Sequence, residues 1–285
     1  MNKFLKEIFE QPQVLQNTLN YYLQGEGQDK LEKVTGIWDE GKFNQVLFTG
    51  MGSSFFAPHT ASCILSNNGI VSNNINAGEL LHYHLPLLRD NALLTCVSQS
   101  GESYEVVKII EKIPAGRTFI GITNEEDSTL ARKSAVTLLC KAGREEMTST
   151  KTYVSTLLVL SVFSRVLTRK WQPGSMAELN VAIEAVGNLI NNREEWLSPA
   201  MDILGHPPFV QIIGRGPSYS SVLQGALMIM EAARNPQQGY TAVNSGTDQW
   251  KCQKKDSGRL FLLPSGPPID KGSDLLMILQ NSGER

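Results

Sequence analysis

The stretch that decides the fold is Ala92-Leu93-Leu94-Thr95-Cys96-Val97-Ser98-Gln99-Ser100-Gly101-Glu102-Ser103. Its first half is a continuous apolar run, which predicts a strand buried in a parallel sheet. The apolar spacing of Tyr104–Ile113 predicts a helix directly after it. Three serines, a glutamine and a glycine therefore lie where a helix exposes its unpaired N–H groups, which favours a phosphate dianion. On this stretch alone, a plain serine N-cap is an equally good explanation.

Strands and helices alternate on both sides of this stretch. The sequence predicts strands at Gln45–Thr49, Val71–Ile75, Thr118–Thr123 and Val136–Cys140, with helical stretches between them. This alternation predicts an α/β fold, in which helices flank a parallel, doubly wound, flavodoxin-like sheet. In such a sheet the ligand lies at the carboxyl ends of the strands. Residues 2–38 are predicted to be helical.

Two more polar clusters stand at predicted helix starts. Gly50-Met51-Gly52-Ser53-Ser54 follows the first strand, and its two serines favour a second anion site. Its Gly-x-Gly turn lacks the third glycine of the dinucleotide fingerprint. Ser149-Thr150-Lys151 precedes a long apolar helix at residues 152–167, and there a helix-capping sequence is an equal alternative to a binding role.

The first Gly-x-Gly turn recurs later in the chain. Phe209–Tyr219 repeats the order of Val46–Phe55, which is a strand, Gly-x-Gly, a hydroxyl and an aromatic residue. This internal duplication predicts two tandem units. We expect a helical segment at 1–40, a first domain at 41–172, a helical linker at 173–205 and a second domain at 206–285.

The second copy is predicted to be incomplete. We expect strands near Tyr240–Val243 and at Arg259–Leu263, and a helix near Ser273–Gln280. Residue 285 then comes about two strands before the pattern of the first copy is finished. An uncovered sheet edge is unfavourable, so we expect either a partner subunit at this edge or a truncated chain.

Composition excludes several function classes. Among 285 residues, 41% are hydrophobic and 19% charged, and the net charge is −2 without a basic block, which argues against nucleic acid. No apolar run approaches the roughly 20 residues of a membrane span. The four cysteines are far apart, which favours a reducing cytoplasm. His82 and His84 have no ligand cluster beside them, so we expect no metal.

Taken together, these motifs resemble sugar isomerase (SIS) domain proteins, in particular the isomerase half of glucosamine-6-phosphate synthase, phosphosugar isomerases and fructosamine-6-phosphate deglycases. Lys6–Pro12 resembles the first helix of that family, and Gly50–Ser54 its Cys-Gly-Thr-Ser turn. Ser98–Ser103 resembles its Ser-Gln-Ser-Gly-Glu-Thr loop, and Ser149–Lys151 its Ser-Thr-Lys segment. The resemblance spans nearly the whole chain and implies two tandem SIS domains.

The resemblance also implies a ligand and the residues that bind it. The ligand is a hexose, hexosamine or fructosamine 6-phosphate, bound without a cofactor by a homodimer. The residues implied to bind its phosphate or sugar are Ser53, Ser54, Ser98, Gln99, Ser100, Ser103, Ser149 and Lys151. Hydroxyls and amide N–H groups can hold a phosphate in this way without an arginine.

The catalytic residues depart from the family pattern. Glu231 matches the glutamate that moves a proton between C1 and C2, and its apolar helix predicts a desolvated base. The family lysine three residues earlier is Met228 here, and Asn244–Trp250 stands where the family has a histidine. We therefore expect an isomerase or a deglycase that uses Glu231. The alternative is a non-catalytic sugar-phosphate sensor.

Overall fold

The computed structural model describes residues 2–204, 210–233, 237–241, 258–264 and 275–281. The chain divides into two compact units, Met1–Glu184 and Ala185–Arg285. Each unit is built around its own sheet. In the described part of the chain, no helix combines the length and the apolar character that crossing a bilayer requires.

The first unit alternates strands and helices in the predicted order. Its strands are β1 (Gln45–Gly50), β2 (Val71–Asn76), β3 (Ala92–Val97), β4 (Phe119–Thr123) and β5 (Val136–Leu139). Its helices are α1 (Lys3–Leu23), α2 (Glu26–Asp39), α3 (Ser53–Phe56), α4 (Pro58–Asn67), α5 (Ala77–Glu79), α6 (Tyr104–Lys112), α7 (Thr129–Lys133) and α8 (Lys151–Leu167). Helix α9 (Pro173–Asn191) follows and crosses the boundary between the units.

The first sheet has the strand order β2-β1-β3-β4-β5, and all of its pairs are parallel. This order confirms the predicted flavodoxin-like α/β fold. The chain leaves β1 toward β2 on one side and returns to β3 on the other. Neighbouring connections therefore diverge between β1 and β3, which opens a crevice at the carboxyl ends of these strands.

Burial explains why the decisive stretch forms the centre of this sheet. All six residues of β3 are buried, as expected for a strand with neighbours on both edges and helices on both faces. Helix α6 packs Val106 and Ile109 onto the sheet, and both are fully buried. Burying a side chain of this size stabilises the fold by about 1.5–3 kcal/mol. The start of α6 is thereby held against the end of β3.

The connection from β2 to β3 is irregular. Helix α5 continues into a single π-helical turn, Leu80–His84, and then into a 3₁₀ turn, Leu85–Leu87. Arg117 closes this connection, because its guanidinium donates to the carbonyls of Leu88, Arg89 and Ala92 at 3.0, 2.6 and 3.1 Å. One half-buried cation therefore fixes the point at which the chain enters β3.

The second unit contains a four-stranded sheet. The described helices and strands of this unit are α10 (Arg193–Leu204), β6 (Val210–Gly214), α11 (Ser218–Ala233), β7 (Gln237–Thr241), β8 (Gly258–Pro264) and β9 (Leu275–Asn281). The strand order is β7-β6-β8-β9, with β6 parallel to both β7 and β8. The strand predicted at Arg259–Leu263 is present within β8. The strand predicted near Tyr240–Val243 overlaps the last two residues of β7, and residues 242 and 243 lie outside the described residues.

The predicted helix near Ser273–Gln280 is wrong. Leu275–Asn281 instead forms β9, which pairs antiparallel with β8 at the edge of the sheet. The run Leu275-Leu276-Met277-Ile278-Leu279 is apolar at every position, so its periodicity does not distinguish a helix from a strand. Pairing with β8 decides between them, because it satisfies the main-chain groups of that edge.

Candidate functional site

The serines that follow β3 shape the loop in which they lie. The N–H of Ser98 donates to the carbonyl of Ile122 at 3.0 Å, which extends the sheet by one residue. The Ser98 hydroxyl is buried, lies 2.9 Å from that of Ser103 and accepts from the N–H of Gly101 at 3.1 Å. The Ser100 hydroxyl accepts from the N–H of Glu102 at 3.2 Å. Ser98 thus organises the loop from inside, and Gln99, Ser100 and Ser103 are half-buried at its surface.

Helix α6 begins at this loop without a side-chain cap. Ser103 occupies the N-cap position with φ −57° and ψ 129°, yet its side chain makes no capping hydrogen bond to α6. Its hydroxyl is paired with Ser98 instead. The first-turn N–H groups of this nine-residue helix therefore have no side-chain acceptor at the N-cap. They form the positive end of the helix, which is where an anion binds best.

Gly101 is required at its position for two reasons. Its φ of +64° lies in the left-handed region, which disfavours residues with a Cβ. A Cβ at this position would also lie 2.1 Å from the Ser128 hydroxyl oxygen and 3.0 Å from that of Thr123. Ser128 in turn caps α7 by accepting from the N–H of Ala131 at 3.2 Å. The loop is thus pressed against the start of α7.

Glu102 fastens the loop to α7 a second time. Its carboxylate accepts from the N–H of Thr129 at 2.5 Å, and this hydrogen bond holds the pKa of Glu102 below its ordinary value. The carbonyl of Gly101 accepts from the N–H of Leu130 at 3.1 Å. Because α7 receives these contacts at its N-terminal end, the carboxylate is also favoured by the helix dipole.

The turn after β1 lies beside this loop. A Cβ on Gly50 would be 2.7 Å from the carbonyl of Val97, at the end of β3, and 2.5 Å from the carbonyl of Ser54. Gly52 has φ +51° and precedes α3, whose first two residues are Ser53 and Ser54. Both serines are half-buried. The structure therefore brings the ends of β1 and β3, with their serines, together at the crevice between these strands.

Asn124 connects the loops that follow β3, β4 and β5, and the sequence analysis missed it. Its N–H donates to the carbonyl of Gln99 at 3.0 Å. Its side-chain oxygen accepts from the N–H of Ala142 at 2.8 Å, and its amide donates to the carbonyl of Gly143 at 2.9 Å. The available signal was an amide side chain directly after a buried strand, at the ligand-binding edge.

The carboxylate of Glu145 holds the start of α8. Glu145 accepts from the N–H groups of Thr150 and Thr152 at 2.8 and 3.3 Å, which caps the helix. The Ser149 hydroxyl lies 2.9 Å from that of Thr152. Thr152 also donates its hydroxyl to Glu145. Ser149 is thereby fixed at the helix start.

Lys151 makes an ion pair within the protein. It is 5% exposed, and its ammonium lies 2.7 Å from the carboxylate of Glu10 on α1. The Lys151 hydrogen bond holds the pKa of Glu10 below its ordinary value. The charge expected to face a phosphate is therefore neutralised by α1.

Glu231 lies in the second unit, near the end of α11, and its side chain is exposed. The predicted desolvation by its own helix does not occur, because the buried residues Val222 and Ala226 face the sheet. Glu231 follows Val222 by nine residues, which places it half a turn around the helix from that face. Where the structure describes side chains, no group of three or more His, Cys, Asp or Glu is arranged to hold a metal ion.

Residues 42–164 match the SIS domain family model. The chain therefore carries a SIS domain, and it is homologous to the isomerase domain of glutamine–fructose-6-phosphate aminotransferase. The isomerizing form of that protein from Zymomonas mobilis is 28% identical over 295 residues, an alignment that covers 98% of this chain. The chain spans 47% of that relative, about half its length.

Solved structures share the fold. The C-terminal domain of glucosamine-fructose-6-phosphate aminotransferase from Francisella tularensis has a TM-score of 0.75 and 22% identity, and the match covers 93% of this chain and 77% of that one. Glucosamine-6-phosphate deaminase from Thermotoga maritima has a TM-score of 0.68 and 22% identity, over 95% of this chain and 79% of that one.

Proposed function

We propose that this chain binds a phosphorylated sugar, with the phosphate at the Ser98–Ser103 loop. The observation that carries the proposal is the start of α6, which lacks a side-chain cap and stands at the crevice between β1 and β3. The hydroxyls of Ser100 and Ser103, and those of Ser53 and Ser54 on the neighbouring turn, are half-buried donors for phosphate oxygens. The relative from Zymomonas mobilis is named for fructose 6-phosphate, a phosphorylated sugar, which agrees with this ligand class.

Calorimetric titration with glucosamine 6-phosphate and with glucosamine tests this proposal. We expect binding only of the phosphorylated sugar. Ser100→Ala is expected to weaken binding by about 1 kcal/mol, or roughly fivefold, because a phosphate oxygen loses one donor. Ser66→Ala, at an exposed position on α4, is the matched control. Equal affinities for the two sugars would refute the phosphate assignment.

We further propose that the protein is an isomerase or deglycase of an amino- or ketosugar 6-phosphate, with Glu231 as the base. In aldose–ketose isomerisation the base takes a proton from the carbon beside the carbonyl and returns it to the former carbonyl carbon, while the proton of the neighbouring hydroxyl moves to the old carbonyl oxygen, so protons and electrons balance. A deglycase would begin with the same step, in which the base takes a proton from C1 beside the C2 carbonyl of a fructosamine phosphate. Protonation at C2 then gives an imine at C1, which water hydrolyses to the aldose phosphate and the free amine. Glu231 is the candidate base because it stands at the position that matches the proton-transferring glutamate in the SIS family pattern.

Solvent deuterium exchange followed by NMR tests the catalytic proposal. We expect exchange at C1 or C2 of one substrate in a panel of hexose, hexosamine and fructosamine 6-phosphates. This exchange should disappear in Glu231→Gln and persist in Glu195→Gln, which alters an exposed glutamate of α10. Exchange that persists in Glu231→Gln would refute the assignment of the base.

A specific observation favours a second function, that of a non-catalytic sensor. Glu231 is exposed, and the position of the family lysine is occupied by Met228. Binding of a sugar phosphate without deuterium exchange anywhere on the panel would support the sensor.

We also propose that the second unit is a second copy of the SIS fold. Its parallel strands β7-β6-β8 are ordered around β6 as β2-β1-β3 are around β1. Gly216, which precedes α11, has φ +57°, close to the +51° of Gly52 before α3. A homodimer remains the expected assembly, and light scattering of the purified chain would measure it.

A further inference from the structure

The first two turns of α1 carry a charged stripe along one side, in which Lys3 is exposed, Glu7 is buried and Glu10 is half-buried. Lys3, Glu7 and Glu10 follow one another at intervals of four and three residues, which places them on one side of the helix. Val14 and Thr18 continue the same side and are buried. Carboxylates therefore occupy helix positions that an amphipathic pattern reserves for apolar residues.

All three charged residues contact the segment at residues 145–151. Lys3 forms an ion pair with Glu146. Glu7 accepts from the main-chain N–H of Glu146 at 2.6 Å. Glu10 pairs with Lys151 at 2.7 Å. Helix α1 thus holds both ends of the segment that contains Ser149.

Stability alone does not account for Glu7. Its side chain is 5% exposed, and among the described residues its second oxygen, Oε2, has no hydrogen-bond partner. A buried polar atom in this state destabilises the fold, because it loses its hydrogen bonds to water without replacing them. Buried groups of this kind call for a reason other than stability. For Glu7, that reason is the position of the main chain at Glu146.

We infer that Glu7 and Glu10 are positioning residues, which act through the 145–151 segment to place Ser149 against the sugar. This inference rests on the proposed function, in which Ser149 contacts sugar hydroxyls. From the loop side, Glu145 caps α8 and binds Thr152, the neighbour of the Ser149 hydroxyl. Recognition of the sugar therefore depends on α1, which lies outside the segment that matches the SIS family model.

The test measures the affinities of glucosamine 6-phosphate and inorganic phosphate in the same variants. Inorganic phosphate reports on the Ser98–Ser103 loop alone. We expect Glu7→Ala to lower the preference for the sugar phosphate about tenfold and to leave the affinity for inorganic phosphate within about twofold, because only the sugar contacts move. Glu7→Gln keeps an acceptor for the Glu146 N–H and should restore the preference. Glu26→Gln, which alters a surface ion pair with Lys30 on α2, is the control.

The outcomes separate this inference from the proposed function. Wild-type protein that does not prefer glucosamine 6-phosphate over glucosamine overturns the proposed function and the inference with it. A normal wild-type preference that survives in Glu7→Ala overturns the inference alone. An equal loss of affinity for glucosamine 6-phosphate and for inorganic phosphate in Glu7→Ala, together with a lower unfolding temperature, also overturns the inference, because it would show a merely structural role. Glu10→Gln provides an independent variant, in which the preference should fall in the same direction.

Discussion

Substituting Gly101 by alanine tests how tightly the Ser98–Ser103 loop is packed. The residue has φ +64°, and forcing alanine into the left-handed region costs about 1–2 kcal/mol. The new Cβ would also lie 2.1 Å from the Ser128 hydroxyl oxygen and 2.4 Å from the Ser128 Cβ. Relieving such overpacking typically costs about 1–3 kcal/mol. The expected loss in the free energy of unfolding is therefore about 2–5 kcal/mol, measured by urea denaturation.

Gly69 provides the matched control for this measurement. It has φ +78° at the end of α4, and a Cβ there would meet nothing within 4 Å. Gly69→Ala should therefore cost only the backbone term, about 1–2 kcal/mol. Adding Ser128→Gly to Gly101→Ala should recover part of the loss, because the clashing atoms are removed. Equal losses in Gly101→Ala and Gly69→Ala would refute the close contact between the loop and α7.

Three shorter predictions follow from buried or paired groups. Arg117→Met should lower the free energy of unfolding by about 3 kcal/mol in urea titrations, because three main-chain carbonyls lose a charged donor. The depressed pKa of Glu10 means that its ion pair with Lys151 stabilises the fold above about pH 4.5 and that this stabilisation is lost as the pH falls. The stability difference between wild type and Glu10→Gln should shrink accordingly in acid. Burial raises the pKa of Cys96 and Cys140 to about 12, so thiol reagents mapped by mass spectrometry should leave both unmodified in the native protein.

The sequence predicts the first sheet well because its strands are short, separated by turn residues and, except for the polar edge strand β2, apolar. The predicted strands correspond to β1–β5 with ends that differ by at most one residue. The prediction of a helix near Ser273–Gln280 is wrong because an apolar run without periodicity does not distinguish a helix from a strand. Its conformation depends on pairing with β8, which is a tertiary contact.

The candidate site was predictable where one continuous stretch forms it. Ser98–Ser103 combines its own hydrogen bonds with the start of the next helix, and all of these features are local in sequence. The ion pair of Lys151 was not predictable in this way, because its partner, Glu10, is 141 positions away. A charged residue at an inward position of α1, such as Glu7, was the one local sign that a distant partner exists.

The binding loops supply neutral donors, and this property shapes what the protein can do. Lys151 was the cation expected at the ligand, and Glu10 neutralises it. In the proposed function, hydroxyls, main-chain N–H groups and the helix dipole hold the phosphate at the start of α6. Such a cradle recognises the phosphate without distinguishing one sugar from another. Under the proposals made above, discrimination between sugars comes from the segment that α1 holds in place, and conversion of the sugar requires a base that the first unit's serine loops do not contain. Binding and catalysis are therefore separable in this chain, and the role of Glu231 decides between an enzyme and a sensor.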